Sequence, residues 1–218
     1  IGKQLGFLKW FLKWSANNGY HKNMAYLSFK PKLKTTEKRI IYLTWDELMT
    51  VYNFPIPESK KYLDRVRDVF CFCCFTSLRY SDVYNLKRFD IKNGALHITT
   101  VKTADSLTID LNKYSQAILD KYDGVPFEDN KALPVISNQK MNDYIKELGQ
   151  LCGLDQPETV PYYVGNERVD EVYPKYELMG THTGRRTFIS NAIMMGIPPQ
   201  VVMKWTGHSD YKAMKPYI

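Results

Sequence analysis

Apolar residues recur at the spacing of an α-helix in several stretches of the chain, which predicts a mainly helical fold. The first stretch covers residues 2–17 and ends at Asn17-Asn18-Gly19, a sequence suited to a helix terminus. Thr44 and Glu47 have the spacing of a capping box, which predicts a helix through about Val51. The same apolar periodicity predicts further helices at residues 62–76, 113–122 and 138–152.

The stretch at residues 89–111 has the pattern of strands instead. Its sequence, FDIKNGALHITTVKTADSLTIDL, predicts a small three-stranded antiparallel sheet, with Asn93-Gly94 as the first turn and residues 103–106 as the second. Residues 155–180 contain several prolines among Tyr and Val and predict a loop or small hairpin without chemistry of its own. The predicted class is therefore mainly α (α+β).

The last 38 residues combine two predicted helices with unusual polar side chains. Thr181 is suited to be an N-cap, and His182 and Arg185 project from one face at the start of the apolar helix that follows. A second helix is predicted from Pro198-Pro199 to Gly207, directly before His208. Tyr217 comes nine residues after that histidine. A hydroxyl nucleophile with two histidines and an arginine nearby suggests attack on a phosphate.

Two upstream cations lie where helices or strands are interrupted. Arg79, in TSLRYSD, falls between the helix that ends near Thr76 and a next helix for which Ser81 is the predicted cap. Such an arginine either turns toward a shared cavity or serves as a structural ion-pair partner. Lys102 lies where the second predicted strand meets its turn, a place where a lysine is ordinarily just solvated.

Composition excludes several classes of protein. The 218 residues are 44% hydrophobic, which suits a packed domain or a domain plus a fragment. No run approaches the roughly twenty apolar residues of a membrane span, and the start lacks the layout of a signal peptide. No phosphate-binding glycine loop or paired CxxC set occurs. We expect a soluble, intracellular protein, and both ends look like cuts in a longer product.

The four cysteines indicate buried thiols rather than a metal site. Cys71, Cys73 and Cys74 share one apolar stretch, and Cys152 is alone, so the paired spacing of a zinc site does not occur. We expect reduced, buried thiols and no metal.

Positive charge is concentrated at the N-terminus. Of the net +7, residues 1–39 carry nine bases against one acid, while residues 40–218 carry 21 bases against 22 acids. This separation predicts a polyanion contact in the N-terminal segment, and a solvated basic face without a ligand is the alternative. Residues 28–38 have the composition of an interdomain linker, so we predict a boundary between residues 1–39 and 40–218. The predicted DNA-binding residues are Lys30, Lys32, Lys34, Lys38 and Arg39.

The order H-x-x-R, then G-H, then Tyr nine residues on, resembles the C-terminal motif of the tyrosine recombinases, or phage integrases. The segment around Arg79 resembles the family's first arginine motif, with Ser77 where the family usually has glycine, and Lys102-Thr103 matches the lysine of its β-hairpin. The resemblance covers residues 40–218 and implies the family's catalytic fold. It also implies that residues 1–39 are the last helix of a truncated core-binding domain and its linker.

The residue types fit transesterification of a phosphodiester. Arg79 and Arg185 would neutralise the nonbridging oxygens, since guanidinium is a permanently charged bidentate donor. The nucleophile would be Tyr217, with His182 as its proton acceptor. Lys102 would protonate the leaving oxygen, and His208 would hydrogen-bond the phosphate. In the family this attack forms a 3′-phosphotyrosine without metal, ATP or any other cofactor.

These observations predict a site-specific DNA recombinase, acting in integration or excision of a mobile element. A type IB topoisomerase and a DNA-binding protein without catalysis on the same scaffold are the alternatives. The resemblance implies double-stranded DNA as the partner, a homotetramer on DNA for the longer protein, and a bacterial, cytoplasmic location. For these 218 residues alone we expect a monomer in solution that cleaves slowly or not at all.

Overall fold

The structure is a computed structural model that describes residues 2–31, 34, 36 and 39–217. The chain divides into two compact units, residues 1–38 with 159–171 and residues 39–158 with 172–218. Within the described ranges no helix is both long enough and apolar enough to cross a membrane.

The first unit begins with two helices, α1 (Gly2–Asn17) and α2 (Ala25–Ser28). The predicted end of α1 is confirmed, and Gly19 adopts φ 79° just after it. One part of the predicted linker contacts residues 159–171 of the same unit: the Thr36 hydroxyl donates to the carbonyl of Pro161 at 2.8 Å. Several large apolar side chains of α1 remain exposed, namely Phe7, Leu8, Trp10, Phe11 and Trp14.

The second unit is helical around a three-stranded sheet. The capping box that opens its first helix is confirmed, because Thr44 Oγ1 accepts from the N–H of Glu47 and Glu47 Oε2 accepts from the N–H of Thr44. The helices are α3 (Trp45–Asn53), α4 (Tyr62–Thr76), α5 (Tyr80–Asn85), α6 (Lys113–Lys121), α7 (Asn138–Leu151), α8 (Thr181–Met194) and α9 (Pro199–Thr206). Short 3₁₀ turns lie at Glu58–Lys60, Arg88–Asp90, Glu128–Asn130, Lys175–Leu178, Tyr211–Ala213 and Lys215–Tyr217.

The sheet has the predicted antiparallel order, β1 (Ile91–Lys92), β2 (Ala95–Thr99) and β3 (Ser106–Asp110). Its register pairs Leu96 with Ile109, and both side chains are buried in the main core. Residues 155–180 form a second two-stranded sheet from β4 (Pro157–Val164) and β5 (Glu167–Pro174). The predicted mainly α fold with a small antiparallel sheet is confirmed.

The core of the second unit is built around α4. Its apolar side chains are almost completely covered, and full burial of residues such as Phe70 and Phe72 contributes roughly 1.5–3 kcal/mol each. Helix α8 crosses α4 closely at Gly184, where an added Cβ would lie 2.8 Å from Cys73 Cβ. Cys71, Cys73 and Cys74 are buried as expected, and burial raises the pKa of the Cys73 thiol to about 12. The same helix contact places the polar start of α8 beside the end of α4.

Three predicted boundaries are wrong. Thr181 is the first residue of α8 rather than its N-cap, because its N–H bonds to Asn142 Oδ1 while the N–H of Gly180 bonds to Thr183 Oγ1. The helix after Arg79 begins at Tyr80 instead of being capped by Ser81. Ser106 belongs to β3 and not to the turn, since it pairs with Thr99.

Candidate active site

Arg79 is placed by the sharp turn that ends α4. Ser77 closes the helix with φ 63°, in the left-handed region, and Arg79 follows as the N-cap of α5. The main-chain N–H of Arg79 donates to Asp82 Oδ2 at 3.3 Å, and its Nη1 lies 3.9 Å from the same oxygen. Among the described residues, no acceptor satisfies this buried Nη1. Arg79 therefore has a guanidinium donor free for an anion.

Asp82 connects this arginine to the turn that carries Lys102. Its second oxygen, Oδ1, accepts from the main-chain N–H of Val101 at 3.0 Å. The β2–β3 turn is closed by the bond from Thr100 N–H to the carbonyl of Asp105, at 2.9 Å, and its residues 101–106 are exposed. Asp82 is buried, at 5% exposure, and its single carboxylate connects Arg79 to the turn that carries Lys102.

Arg185 is the most enclosed cation of the site, at 2% exposure. Its Nη1 donates to the carbonyl of Ser77 at 3.0 Å, and its Nη2 donates to the carbonyl of Thr206. Burial first, and the positive charge of Arg79 second, lower the pKa of Arg185 to about 10. The guanidinium still carries its charge at neutral pH and is held by main-chain groups from two other segments.

His208 follows Gly207, whose left-handed conformation (φ 65°) ends α9. Its Nε2 lies 3.2 Å from Arg185 Nη2, and its Nδ1 lies 2.8 Å from Thr206 Oγ1. Because a guanidinium only donates, Nε2 is the accepting nitrogen and Nδ1 carries the proton. Burial, then Arg185, Arg79 and His182, lower the pKa of His208 to about 4. The ring is neutral at pH 7.

His182 lies on the first turn of α8 and keeps an exposed edge. Loss of solvent around the ring is the largest cause that lowers its pKa to about 4. The positive charges of four residues add to this effect: Arg186, Arg185, Arg79 and Lys102. The neutral imidazole has a free lone pair, and the negative charge of a bound anion would raise its pKa by opposing the surrounding positive charges.

Tyr217 belongs to the last 3₁₀ turn, Lys215–Tyr217, and packs on a small apolar cluster that contains Ile189 of α8, Val202 of α9 and Met214 of the terminal segment. Burial raises the pKa of its hydroxyl, and the charges of Arg186 and Arg185 oppose that rise. The hydroxyl is therefore protonated at neutral pH, so attack by its oxygen requires a proton acceptor.

The structure places the six predicted residues in one region of the second unit. Arg79, Arg185, His182 and His208 interact electrostatically with one another, Lys102 acts on His182, and Tyr217 acts on Arg185. Three further residues belong to the site and were not predicted: Asp82, Arg186 and Thr206. Only Asp82 had a sequence signal, as an acid three residues after the helix break at Arg79.

The predicted DNA-binding residues have different surroundings. Lys30 is exposed, whereas Lys32 and Lys38 lie outside the described residues. Lys34 Nζ is 5.6 Å from the centroid of the Tyr163 ring. Arg39 forms an ion pair with Glu158 at 2.8 Å while keeping 64% of its side chain exposed.

The site thus combines two cationic arginines, one with an unsatisfied donor, with neutral histidines and a protonated tyrosine. The chain belongs to the phage integrase family, whose sequence profile matches residues 42–218. This assignment favours recombination over the alternative of a type IB topoisomerase. No curated protein sequence matches the chain significantly.

Solved structures share the fold at low sequence identity. The Tn1549 transposon integrase in complex with a circular intermediate DNA has TM-score 0.72 and 14% identity, covering 100% of this chain and 74% of that one. A lambda integrase dimer bound to a COC′ core site has TM-score 0.71 and 15% identity, covering 98% and 70%. XerH recombinase in a post-cleavage complex with palindromic difH has TM-score 0.60 and 16% identity, covering 83% and 50%. Against a longer lambda integrase chain, the present chain spans 57% of that chain's length.

Proposed function

We propose that this chain is the catalytic part of a site-specific DNA recombinase that cleaves and rejoins strands through a phosphotyrosine. The observation that carries the proposal is the buried Arg79 Nη1, which lacks a hydrogen-bond acceptor among the described residues. It lies in a site where burial first, and positive charge second, lower the pKa of both histidines to about 4. Such a cluster is unfavourable without an anion. A phosphodiester supplies the missing negative charge and the missing acceptor.

In the proposed reaction, a nonbridging oxygen of the phosphate accepts from Arg79 and Arg185. The Tyr217 oxygen attacks phosphorus while His182, neutral at pH 7, takes the hydroxyl proton. The bond from phosphorus to the 5′ oxygen breaks, and Lys102 supplies the proton to that oxygen. His208 donates to the phosphate once the anion's charge has raised its pKa. Rejoining reverses each step, so the phosphodiester energy is conserved.

The proposed partner is double-stranded DNA. In support, the Tn1549 integrase was solved with a circular intermediate DNA, a lambda integrase dimer with a COC′ core site, and XerH with a palindromic difH substrate. Residues 1–39 would be the end of a core-binding domain and its linker, and residues 40–218 the catalytic domain. A homotetramer on DNA is proposed for the longer protein, in line with a lambda integrase tetramer bound to a Holliday junction. The proposed setting is the cytoplasm of a bacterium, in integration or excision of a mobile element.

The test is covalent trapping on a nicked suicide substrate, whose short cleaved strand diffuses away and prevents rejoining. The longer protein should form a denaturant-resistant protein–DNA adduct, and these 218 residues alone should form it slowly or not at all. Tyr217→Phe should bind DNA with unchanged affinity and form none, since only the attacking oxygen is removed. Arg79→Ala should lose at least about two orders of magnitude in rate, as expected for one transition-state donor. DNA binding without any adduct, by the longer protein as well as by this chain, would instead favour a non-catalytic DNA-binding protein on this scaffold.

A further inference from the structure

Thr206 is the last residue of α9, and its side chain is completely buried. Its hydroxyl donates to the carbonyl of Val202, one turn earlier in the helix, at 2.9 Å, and the carbonyl of Met203 is a second acceptor at 3.3 Å. A hydroxyl has one proton and two lone pairs, so these carbonyls use its proton and leave the oxygen as an acceptor. The group that faces this acceptor is the ring of His208, whose Nδ1 lies 2.8 Å from Thr206 Oγ1.

The same residue contacts the arginine beside this ring. The main-chain carbonyl of Thr206 accepts from Arg185 Nη2, and that nitrogen also lies 3.2 Å from His208 Nε2. The three residues therefore form a closed triangle of hydrogen bonds. Since a guanidinium only donates, Nε2 must accept from Arg185, and since the hydroxyl proton is used on the helix, Nδ1 must donate to Thr206. Two independent bonds thus require the same tautomer of His208.

Main-chain bonds fix the backbone of His208 but not its ring. Gly207 ends α9 in the left-handed conformation (φ 65°), and the N–H of His208 donates to the carbonyl of Met203 at 3.1 Å. The side chain can still rotate, and a flip of the ring exchanges Nδ1 with a carbon of similar size. Packing alone hardly distinguishes the two orientations. The hydroxyl of Thr206 does, because only Nδ1–H can donate to it.

We propose that Thr206 is the positioning residue of His208: its hydroxyl holds the Nδ1 proton, so that Nε2 is the nitrogen presented to Arg185 and to the phosphate that Arg185 binds. This inference rests on the proposed function. Thr206 transfers no proton in the reaction. Its contribution is to keep the ring in the orientation from which Nε2 donates to the phosphate once His208 is protonated in the complex with DNA.

The first test determines the tautomer by nitrogen NMR of the chain with isotopically labelled histidine near neutral pH, where the ring is neutral. Protonated and unprotonated imidazole nitrogens differ widely in chemical shift, and the signals lost in His208→Gln assign the ring. His208 should carry its proton on Nδ1. Thr206→Ser should keep this tautomer because it retains the hydroxyl. Thr206→Val has nearly the same shape but no acceptor, so it should move the proton to Nε2 or give a mixture of both forms.

The sheet of the second unit provides a matched control. His97 on β2 has its Nδ1 3.3 Å from Oγ1 of Thr108 on β3, so the pair has the same side-chain types, but both residues are exposed. Thr108→Val removes a hydroxyl next to a histidine that has no part in the proposed reaction. It should leave the tautomer of His208 and the rate of adduct formation unchanged.

The second test measures single-turnover adduct formation on the suicide substrate by the longer protein. Loss of one transition-state donor typically slows a reaction by about 10²- to 10³-fold, and a misplaced donor loses part of this effect. Thr206→Val should therefore slow adduct formation by about tenfold to a hundredfold, and Thr206→Ser should recover most of the rate. In a chain that already carries His208→Gln, Thr206→Val should slow the reaction little further, because both changes act through the same ring.

Thermal unfolding identifies a Thr206→Val variant that has merely lost its fold, and the tautomer of the unsubstituted chain then still decides the inference. A proton on Nε2 of His208 in the unsubstituted chain would overturn it. So would a folded Thr206→Val variant that keeps both the tautomer and the rate, or one that loses as much rate without the His208 ring as with it. Absence of any adduct with the unsubstituted longer protein would overturn the proposed function, whereas the tautomer would still show whether Thr206 orients the ring.

Discussion

Replacing Ser77 by glycine should stabilise the protein without changing its chemistry. Ser77 is fully buried, adopts φ 63°, and has a hydroxyl for which the described residues provide no partner. Its carbonyl accepts from Arg185 Nη1 at 3.0 Å, so the strained turn directly holds a cation of the site. Glycine adopts the left-handed conformation without a Cβ penalty and leaves that carbonyl in place.

The expected gain follows from four contributions. The left-handed backbone conformation destabilises the folded state by roughly 1–2 kcal/mol for a residue with a Cβ. An unpaired buried hydroxyl destabilises it by about 1–3 kcal/mol. Against these, glycine loses about 0.4–1 kcal/mol more chain entropy on folding, and removal of one buried carbon costs about 0.8 kcal/mol. The net stabilisation lies between about 0.2 and about 4 kcal/mol, with a midpoint near 2 kcal/mol. For a chain of this size each kcal/mol raises the Tm by about 2–4 °C.

Thermal unfolding of three variants separates these contributions. Ser77→Gly and Ser77→Ala should both raise the Tm, and by similar amounts, because the backbone strain that glycine relieves is about equal to the chain entropy and buried carbon that it loses. Ala104→Gly isolates the backbone contribution, since Ala104 is exposed and has φ 56°. Ser77→Gly should also form the covalent adduct at the unsubstituted rate. A lower Tm for Ser77→Gly than for the unsubstituted chain would refute the reasoning.

Further predictions concern packing, pH and salt. Gly184→Ala should destabilise by about 1–3 kcal/mol in chemical unfolding, because its Cβ would lie 2.8 Å from Cys73 Cβ, whereas Gly6→Ala, with open space around it, should not destabilise. The pKa of His182 and that of His208 are about 4 in the folded chain and about 6.5 when unfolded. The unfolded chain thus binds more protons in that window, so the Tm should fall as pH falls from about 6.5 to about 4, and less so in a variant with both histidines replaced by Gln. DNA titrations at several salt concentrations give the slope of log affinity against log salt. Replacing Lys30, Lys32 and Lys34 by Ala should flatten this slope by up to about three units, because each lysine that contacts a phosphate contributes about one. An unchanged slope would place the phosphate contacts elsewhere.

Much of the fold follows from local sequence signals. The capping box at Thr44 and the turn at Asn93-Gly94 are determined by neighbouring residues, and both occur as predicted. The start of α8 was misplaced because Asn142, nearly forty residues earlier, bonds to the N–H of Thr181. Local propensity contains no information on such a partner, so tertiary contacts override the predicted cap.

In the candidate site, too, the sequence predicts the residues but not the contacts that hold them in place. Motif order predicts Arg79 and Arg185 as site residues, because guanidinium is the side chain that suits a phosphate. What holds them is not visible in the sequence: the carbonyl of Ser77 reaches Arg185 only because α8 crosses the end of α4. The role of Asp82 in joining Arg79 to the turn of Lys102 likewise depends on the folded chain. Buried polar groups need partners, but folding decides which ones they find.

The central claim is that Tyr217 becomes covalently linked to the 3′ phosphate of a cleaved strand, and one measurement tests it directly. The adduct formed on a suicide substrate is digested with protease, and the peptide that carries the nucleotide is sequenced by mass spectrometry. Strands labelled at either end report which side of the break the protein retains. The account predicts a single modified residue, Tyr217, among the 16 tyrosines of the chain, joined through a 3′ phosphate and leaving a free 5′ hydroxyl. Linkage through another residue, or through the 5′ end, would contradict it.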